Sequence, residues 1–159
     1  MIFTEPKLTP IESFMVAGLS VRTINSDEFN PETAKLACLW QQFFSANIAE
    51  KIPNPIPGAP IYGIYSDYDS DASGCYTVTA GVSTNYPLPM PEFSTVAIQT
   101  SDYLVFHGKG TMPQTVIETW KRVWAYFESK TEYQRNFITD FEAYNCSDEV
   151  AIHIGVTKI

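Results

Sequence analysis

Short segments rich in β-branched and apolar side chains predict strands in the first half of the chain. Residues 14–24 (FMVAGLSVRTI) are of this kind and predict the first strand. Residues 61–68 and 76–84 predict two more, and the polar residues 69–74 between them indicate a hairpin. The proline-rich segment 53–60 cannot continue a helix and is expected to be a loop.

Two other segments have the three- and four-residue apolar spacing of an amphipathic helix. The first helix is expected to begin at Asn30-Pro31-Glu32, because a capping side chain, a proline in the first turn and an acid near the positive end of the helix dipole favour a helix start. The second is expected to begin at Pro113. Their apolar faces comprise Leu36, Leu39, Trp40, Phe43 and Phe44 in the first helix, and Val116, Trp120, Val123, Trp124 and Phe127 in the second.

The same order of elements recurs in the second half of the chain. Strands are predicted there at 95–99, 103–107, 141–144 and 150–158. Residues 14–84 and 93–158 therefore align as two strand–helix–strand–strand (βαββ) halves, joined by the proline-rich segment 86–91. We predict an α+β fold, a single domain over residues 1–159, in which a pseudo-twofold axis relates the halves around a central ligand cleft.

The alignment of the two halves pairs individual residues. Trp40 corresponds to Trp120, and Gly63 corresponds to Glu142. If a twofold axis relates the halves, the glycine and the glutamate are expected to face each other across the cleft.

Composition and charge limit the classes of function. With 159 residues, 45% hydrophobic and 14% aromatic, the chain is typical of one globular domain. It has no signal-peptide core, no run long enough to cross a membrane, and three scattered cysteines, so a reduced cytoplasmic location is expected. A net charge of −8 argues against direct nucleic-acid binding and favours cationic ligands, although acidity also serves solubility.

Three segments carry a resemblance to a known family. They are residues 60–65 (PIYGIY), 105–110 (VFHGKG) and 140–144 (DFEAY), and together they span most of the chain. In order and spacing they resemble the gyrase-inhibitor-like (GyrI-like) domains, which bind small molecules and also form the effector-binding parts of AraC-type and MerR-type bacterial regulators. The resemblance implies a duplicated βαββ fold around a cleft for bulky, cationic or aromatic compounds, with the family's central acidic residue at Glu142. No helix-turn-helix segment accompanies it here, so a stand-alone binding protein is expected.

Glu142 can also be weighed on its pattern alone. It shares a strand face with Asp140 and Tyr144, and such a position is more often solvated than buried. An aromatic neighbourhood and the alignment with Gly63 favour a pocket instead. A carboxylate buried there has a raised pKa and is stabilised by a bound cation.

The aromatic side chains give the other candidate ligand contacts. Most of those on the helices are expected in the core, with Trp120 and Trp124 the best candidates for the cleft. The strand candidates are Tyr62, Tyr65, Tyr76 and Tyr144. Because neighbours alternate in a strand, Tyr62 and Tyr65 cannot both face the cleft without a bulge, and the sequence does not decide between them.

Other chemical motifs are incomplete, and no metal or cofactor is indicated. Asp67, Asp69 and Asp71 imitate a calcium loop, but the required glycine and glutamate are missing, so a solvated hairpin tip is expected. The separated histidines 107 and 153 are expected on strand surfaces. Residues 108–110 (GKG) lack the longer phosphate-loop pattern and predict a turn.

The leading hypothesis is therefore a non-catalytic binding protein. It would capture an amphipathic, cationic or aromatic organic compound and either sequester it or report it to a protein partner. The alternative is a hydrolase of reactive natural products with Glu142 as general base, since some stand-alone members of the GyrI-like family resemble such enzymes. Inhibition of a partner such as a topoisomerase, by analogy alone, is the third hypothesis.

The charge leads to a direct test. We expect that the purified chain does not retain duplex DNA in a gel shift at physiological salt, because phosphates are repelled by the net charge of −8. Sequence-specific retention in the presence of competitor DNA would contradict this.

Overall fold

The computed structural model describes residues 6–71, 73–85, 92–129 and 132–158. Their strands are β1 (Lys7–Ile11), β2 (Phe14–Thr23), β3 (Ile61–Ser66), β4 (Tyr76–Ser83), β5 (Ser94–Ile98), β6 (Ser101–Lys109), β7 (Tyr133–Cys146) and β8 (Glu149–Lys158). Their helices are α1 (Asn25–Glu28), α2 (Leu36–Ser45), α3 (Ile48–Lys51) and α4 (Gln114–Glu128). The predicted linker 86–91 lies outside the described residues.

All the described strands belong to one antiparallel sheet, in the order β1-β6-β8-β7-β3-β4-β2-β5. This confirms the mixed strand-and-helix class and the predicted hairpin between β3 and β4. The sheet centre is the β3–β7 pair, where the two parts of the chain meet. None of the helices in the described ranges is long and apolar enough to cross a bilayer.

The longer helices cover one face of the sheet. Leu39 and Phe43 of α2 pack on β2, β3 and β4, and Val123 of α4 packs on β6 and β8. Trp120 of α4 contacts both of these core clusters, so it joins them across the middle of the sheet. The opposite face has its own buried cluster, which includes Tyr103 and Phe141.

The first long helix begins at Leu36, so the predicted start at Asn30-Pro31-Glu32 is wrong. The Asn30 side chain instead accepts a hydrogen bond from the Glu32 amide, which forms a local turn. The free amides at the start of α2 are bonded by the carboxylate of Glu28, which accepts from Lys35 N at 3.0 Å and Leu36 N at 3.1 Å. The second helix has Pro113 at its cap, as predicted.

Two paired glycines on β2 and β4 have no room for a side chain. Gly18 and Gly81 are directly paired. A Cβ on Gly18 would lie 1.9 Å from the carbonyl oxygen of Ala80, and a Cβ on Gly81 would lie 2.3 Å from that of Ala17. Neither position accepts a side chain unless the strands separate.

We therefore expect Gly18→Ala to lower the free energy of unfolding by about 1–3 kcal/mol, the usual cost of overpacking. Urea denaturation followed by circular dichroism measures this. Thr95→Ala, at an exposed position of β5, is the control and should change stability by less than about 0.5 kcal/mol. Equal stability of Gly18→Ala and the wild type would contradict the close approach.

Candidate functional site

The carboxylate of Glu142 lies under the helices at the centre of the sheet. The residue is 4% exposed. Its Oε2 accepts hydrogen bonds from Trp120 Nε1 at 2.6 Å and from Tyr65 Oη at 2.7 Å, and its Oε1 accepts one from Tyr144 Oη at 2.7 Å. One α-helix and two β-strands thus supply the donors for a single buried anion.

Burial and hydrogen bonding act in opposite directions on Glu142. Burial raises the pKa of the carboxyl group, and the bonds from Trp120, Tyr65 and Tyr144 offset part of that rise. The pKa of Tyr65 is raised well above its ordinary value, chiefly by burial and then by the charge of Glu142. Burial likewise raises the pKa of Tyr144. Both hydroxyls therefore keep their protons and remain donors.

Gly63 makes room for this arrangement. It is paired with Glu142 on the neighbouring strand, so the expectation that the two residues face each other across a cleft is wrong. A Cβ at residue 63 would lie 2.9 Å from Glu142 Oε1 and 3.0 Å from Trp40 Cζ2. The glycine therefore lets a tryptophan and a carboxylate approach the same point of the sheet.

A cavity of about 300 Å³, the inner chamber, opens beside this carboxylate between the sheet, α1 and α4. Tyr65 and Trp120, two of the three donors to Glu142, form part of its wall. The full lining is Asn25, Glu28, Phe29, Leu36, Tyr65, Tyr68, Tyr76, Ile117, Trp120, Lys121, Trp124 and Arg135. Glu142 is therefore separated from the inner chamber by the side chains that bond it.

The aromatic walls of the chamber touch one another edge to face or at a tilt. The Tyr65 and Trp120 ring centroids are 5.1 Å apart, and those of Trp120 and Trp124 are 6.2 Å apart. Phe29 continues the series, 6.3 Å from Trp124, although it is 73% exposed. Ile117, which is 50% exposed, adds another apolar surface to the lining.

Charged groups around the chamber are held in different ways. Arg135 is paired with the fully buried Asp140, with Nη2 and Oδ2 2.7 Å apart, and Tyr68 Oη donates to the same oxygen at 2.5 Å. Glu28 is held by its bonds to the start of α2. Lys121 is exposed. The charge of Asp140 is thus neutralised by Arg135. The charge of Glu142 is not, because its three donors are neutral side chains.

The structure brings most of the predicted residues to one place. Tyr65, Tyr76, Trp120 and Trp124 line the inner chamber, and Glu142 and Tyr144 lie directly behind its wall. Tyr62 does not lie there. Strand alternation directs it to the opposite face, where its ring contacts Phe14 and Phe141 at centroid distances of 5.2 and 5.8 Å.

Several lining residues were missed by the sequence analysis. Phe29 follows α1, which had not been predicted, and Tyr68 lies just beyond the end of β3. Arg135 lies in the part of β7 before the predicted strand. Tyr68 had a usable signal, since it lies three residues beyond Tyr65 in a segment already predicted to border the cleft.

The structure agrees with some of the predictions for the histidines and the short motifs and differs from others. His107 is exposed, as expected, but His153 stacks on Phe141 at 4.2 Å, and burial lowers its pKa to about 4. Gly108 and Lys109 belong to β6, so the predicted turn begins only after them. Asp69 binds Arg22 at 2.5 Å at the end of the β3–β4 hairpin.

The three cysteines are unpaired. One of them, Cys146, lies with Asp148 and Glu149 at the β7–β8 turn, with potential ligand atoms within 4.8 Å of one another. Exposed groups of this kind are common without an ion, and Glu149 has Lys109 as a neighbour at 3.5 Å.

A family assignment agrees with this geometry. The family model described as Cass2, integron-associated effector binding protein, matches residues 7–156. The chain belongs to this family. The Cass2 assignment confirms the resemblance to GyrI-like effector-binding domains drawn from residues 60–65, 105–110 and 140–144.

Known proteins similar to the chain extend the assignment. The integron cassette protein VCH_CASS2, from the mobile metagenome of Vibrio cholerae, is 37% identical with a TM-score of 0.85, covering 98% of this chain and 97% of its own. YobU of Bacillus subtilis (strain 168), whose name describes it as a transcriptional regulator, is 30% identical over 95% of this chain and 97% of its own length. SAV2435, solved bound to tetraphenylphosphonium, shares the fold with a TM-score of 0.77 at 18% identity, covering 97% of this chain and 94% of its own.

The hydrogen bonds of Glu142 allow a test by substitution with glutamine. In Glu142→Gln the amide oxygen can accept from Trp120 and Tyr65, and the amide nitrogen can donate to the Tyr144 hydroxyl, so every bond has a successor. The variant removes a buried charge. We expect it to fold and to be more stable than the wild type at neutral pH.

The pH dependence has a defined sign. Because the pKa of Glu142 is higher in the folded than in the unfolded chain, the wild type loses stability as pH rises through the interval between the two values. The variant does not, so its advantage should be largest above that interval and shrink as pH falls below it. Urea denaturation across this pH range measures the difference. The exposed Glu118→Gln is the control, and a constant difference at all pH values would contradict the assignment.

Proposed function

We propose that the chain binds amphipathic organic cations with aromatic groups in the inner chamber. The observation that carries the proposal is the bonding of Glu142. Within the described part of the chain, its hydrogen-bond partners are the neutral side chains of Trp120, Tyr65 and Tyr144. Its negative charge is therefore held in place but not cancelled, immediately behind an aromatic wall.

Such a wall suits a cation with apolar groups. Trp120 and Tyr65 offer ring faces or edges to the chamber, and a cation over a ring face gains about 0.5–2 kcal/mol. Their N–H and O–H groups are polarised toward the carboxylate, which strengthens the negative potential on the rings. The negative charge of Glu142 thus attracts a cationic ligand electrostatically, through the intervening rings of Trp120 and Tyr65, without contacting it. The apolar side chains of the lining add hydrophobic affinity, which is non-directional and so accommodates ligands of different shapes.

The comparisons support this choice. The family is described by effector binding, and SAV2435, of the same fold, was solved with tetraphenylphosphonium, a cation surrounded by phenyl rings. YobU, similar over nearly the whole chain, is described as a transcriptional regulator. We infer that the chain either reports bound cations to a protein partner or sequesters them. Its net charge of −8 argues against acting through its own contact with DNA.

The site also supports a duplicated origin of the fold. The order β2-β4-β3 on one side of the sheet centre is repeated by β6-β8-β7 on the other. A pseudo-twofold axis through the Gly63–Glu142 pair would exchange Tyr65 with Tyr144, which both donate to Glu142. It would also exchange Trp40, beside Gly63, with Trp120, which bonds Glu142. Failure of β2–α2–β3–β4 to superpose on β6–α4–β7–β8 in a crystal structure would contradict the duplication.

A general-base role for Glu142 is not favoured. A base must come within hydrogen-bond reach of a water molecule, whereas Glu142 is 4% exposed and is separated from the inner chamber by the side chains that bond it. The hydrolase hypothesis is therefore kept as an outcome of the binding experiment below.

Titration calorimetry with tetraphenylphosphonium tests the proposed function. We expect the wild type to bind, and Glu142→Gln to lose about 1.5–3 kcal/mol of affinity, the scale of interactions with a charged group. Neutral triphenylphosphine oxide should bind both proteins alike, because only the charge has been removed.

Glu118→Gln, which removes one exposed charge from α4, is the matched control and should bind like the wild type. Equal affinity of the wild type and Glu142→Gln for the cation would contradict the role of the carboxylate. Conversion of an ester substrate by the wild type, lost by at least about 100-fold in Glu142→Gln, would favour the hydrolase instead.

A further inference from the structure

A second cavity adjoins the inner chamber. This outer chamber has a volume of about 430 Å³ and shares four lining residues with the inner chamber: Asn25, Phe29, Trp124 and Arg135. The residues that it adds are Phe127, Glu128 and Phe137. Since four residues border both spaces, the two chambers are adjacent, and together they are called the cleft below.

We propose that the cleft binds elongated ligands with two cationic aromatic ends joined by an apolar linker. One end would occupy the inner chamber, and the other would lie in the outer chamber between Phe127 and Phe137. The proposal rests on the proposed function of the inner chamber and specifies its ligand class.

The outer chamber has its own attraction for a cation. It lies at the end of α4, which finishes at Glu128, so the negative end of the helix dipole and an exposed carboxylate occur together there. Phe127 and Phe137 contribute aromatic surface. An aromatic cation is therefore better suited to this space than an anion or a plain hydrocarbon.

Arg135 does not oppose this. Its guanidinium group borders both chambers, but it is bonded to Asp140 at 2.7 Å, and the pair has no net charge. Its Cζ atom lies over the ring of Phe137, 4.3 Å from the ring centroid, so the guanidinium has an aromatic neighbour as well as its carboxylate partner. Its side chain is 9% exposed and is held by the ion pair with Asp140 and the contact with Phe137.

The two-chamber arrangement also explains the exposed aromatic ring of Phe29. It is 73% exposed and lies on the wall common to the two chambers, 6.3 Å from Trp124. A ligand that crosses from one chamber to the other would cover this ring, and a compact ligand confined to the inner chamber would leave much of it in water.

A pair of matched ligands tests the proposal. One is a dication of two quinolinium rings joined through their nitrogens by a decamethylene chain, and the other is the monocation N-methylquinolinium. We expect the wild type to bind the dication at least about tenfold more tightly, since a second aromatic cation is engaged.

Two variants then locate the second end. Glu128→Gln and Phe137→Ala should each weaken the dication by about three- to tenfold, and Glu128→Gln should leave the monocation within twofold of wild type. Because Phe137 also contacts Tyr68 of the inner chamber, at 5.6 Å, the exposed Glu128 provides the variant that leaves that chamber intact. Phe44→Ala, which removes an exposed ring of α2 outside the cleft, is the control and should bind both ligands like the wild type.

The possible failures are distinguishable. If the wild type binds tetraphenylphosphonium but binds the dication no better than the monocation, the two-chamber proposal is wrong and the proposed function stands. The two-chamber proposal is also overturned if Glu128→Gln leaves the dication unaffected or weakens both quinolinium ligands equally. If the wild type binds none of the cations, the proposed function fails and this inference fails with it.

Discussion

The rest of the site depends on a buried carboxylate that is bonded by three neutral donors. Placing Glu142 under the helices is costly because its charge leaves water. Trp120, Tyr65 and Tyr144 offset that cost from three different elements, so the charge fixes how α4 sits relative to β3 and β7. The arrangement also requires glycine at position 63, since a side chain there would collide with the carboxylate and with Trp40. The aromatic walls are thus positioned by the anion that they surround.

A second carboxylate nearby shows why the bonding partners matter. Asp140 lies two residues before Glu142 on the same strand and is 0% exposed, but it is paired with Arg135. The opposite charges of an ion pair largely cancel each other's electrostatic field at a distance. A carboxylate that accepts hydrogen bonds from neutral groups keeps its negative charge, and the potential of that charge is strong in a low-dielectric interior. Of these two buried acids, Glu142 is therefore the one that we propose attracts a cation to the inner chamber.

The sequence predicted those features that depend on local pattern. Apolar spacing predicted α4, and two strand-like segments with a polar turn between them predicted the β3–β4 hairpin. The resemblance to GyrI-like domains pointed to Glu142, and the alignment of the halves matched it with Gly63. It did not predict how these two residues meet, because pairing between strands distant in sequence is a tertiary property. The start of α2 was misplaced for a similar reason. Glu28 caps it from outside the helix, whereas local rules consider only the residues at the helix start itself.

Arg135 shows most clearly where local rules stop. Residues five apart in a regular strand point to opposite faces, so alternation forbids a contact between Arg135 and Asp140. In the structure, the register of β7 against β8 shifts between them, and four residues of β7 lie opposite Gly155 alone. This bulge returns both side chains to the helix-covered face, and the Gly155 amide donates to Asp140 Oδ1 at 2.9 Å. The bulge thus buries the ion pair beside the inner chamber and places Phe137, which lines the outer chamber, against the guanidinium.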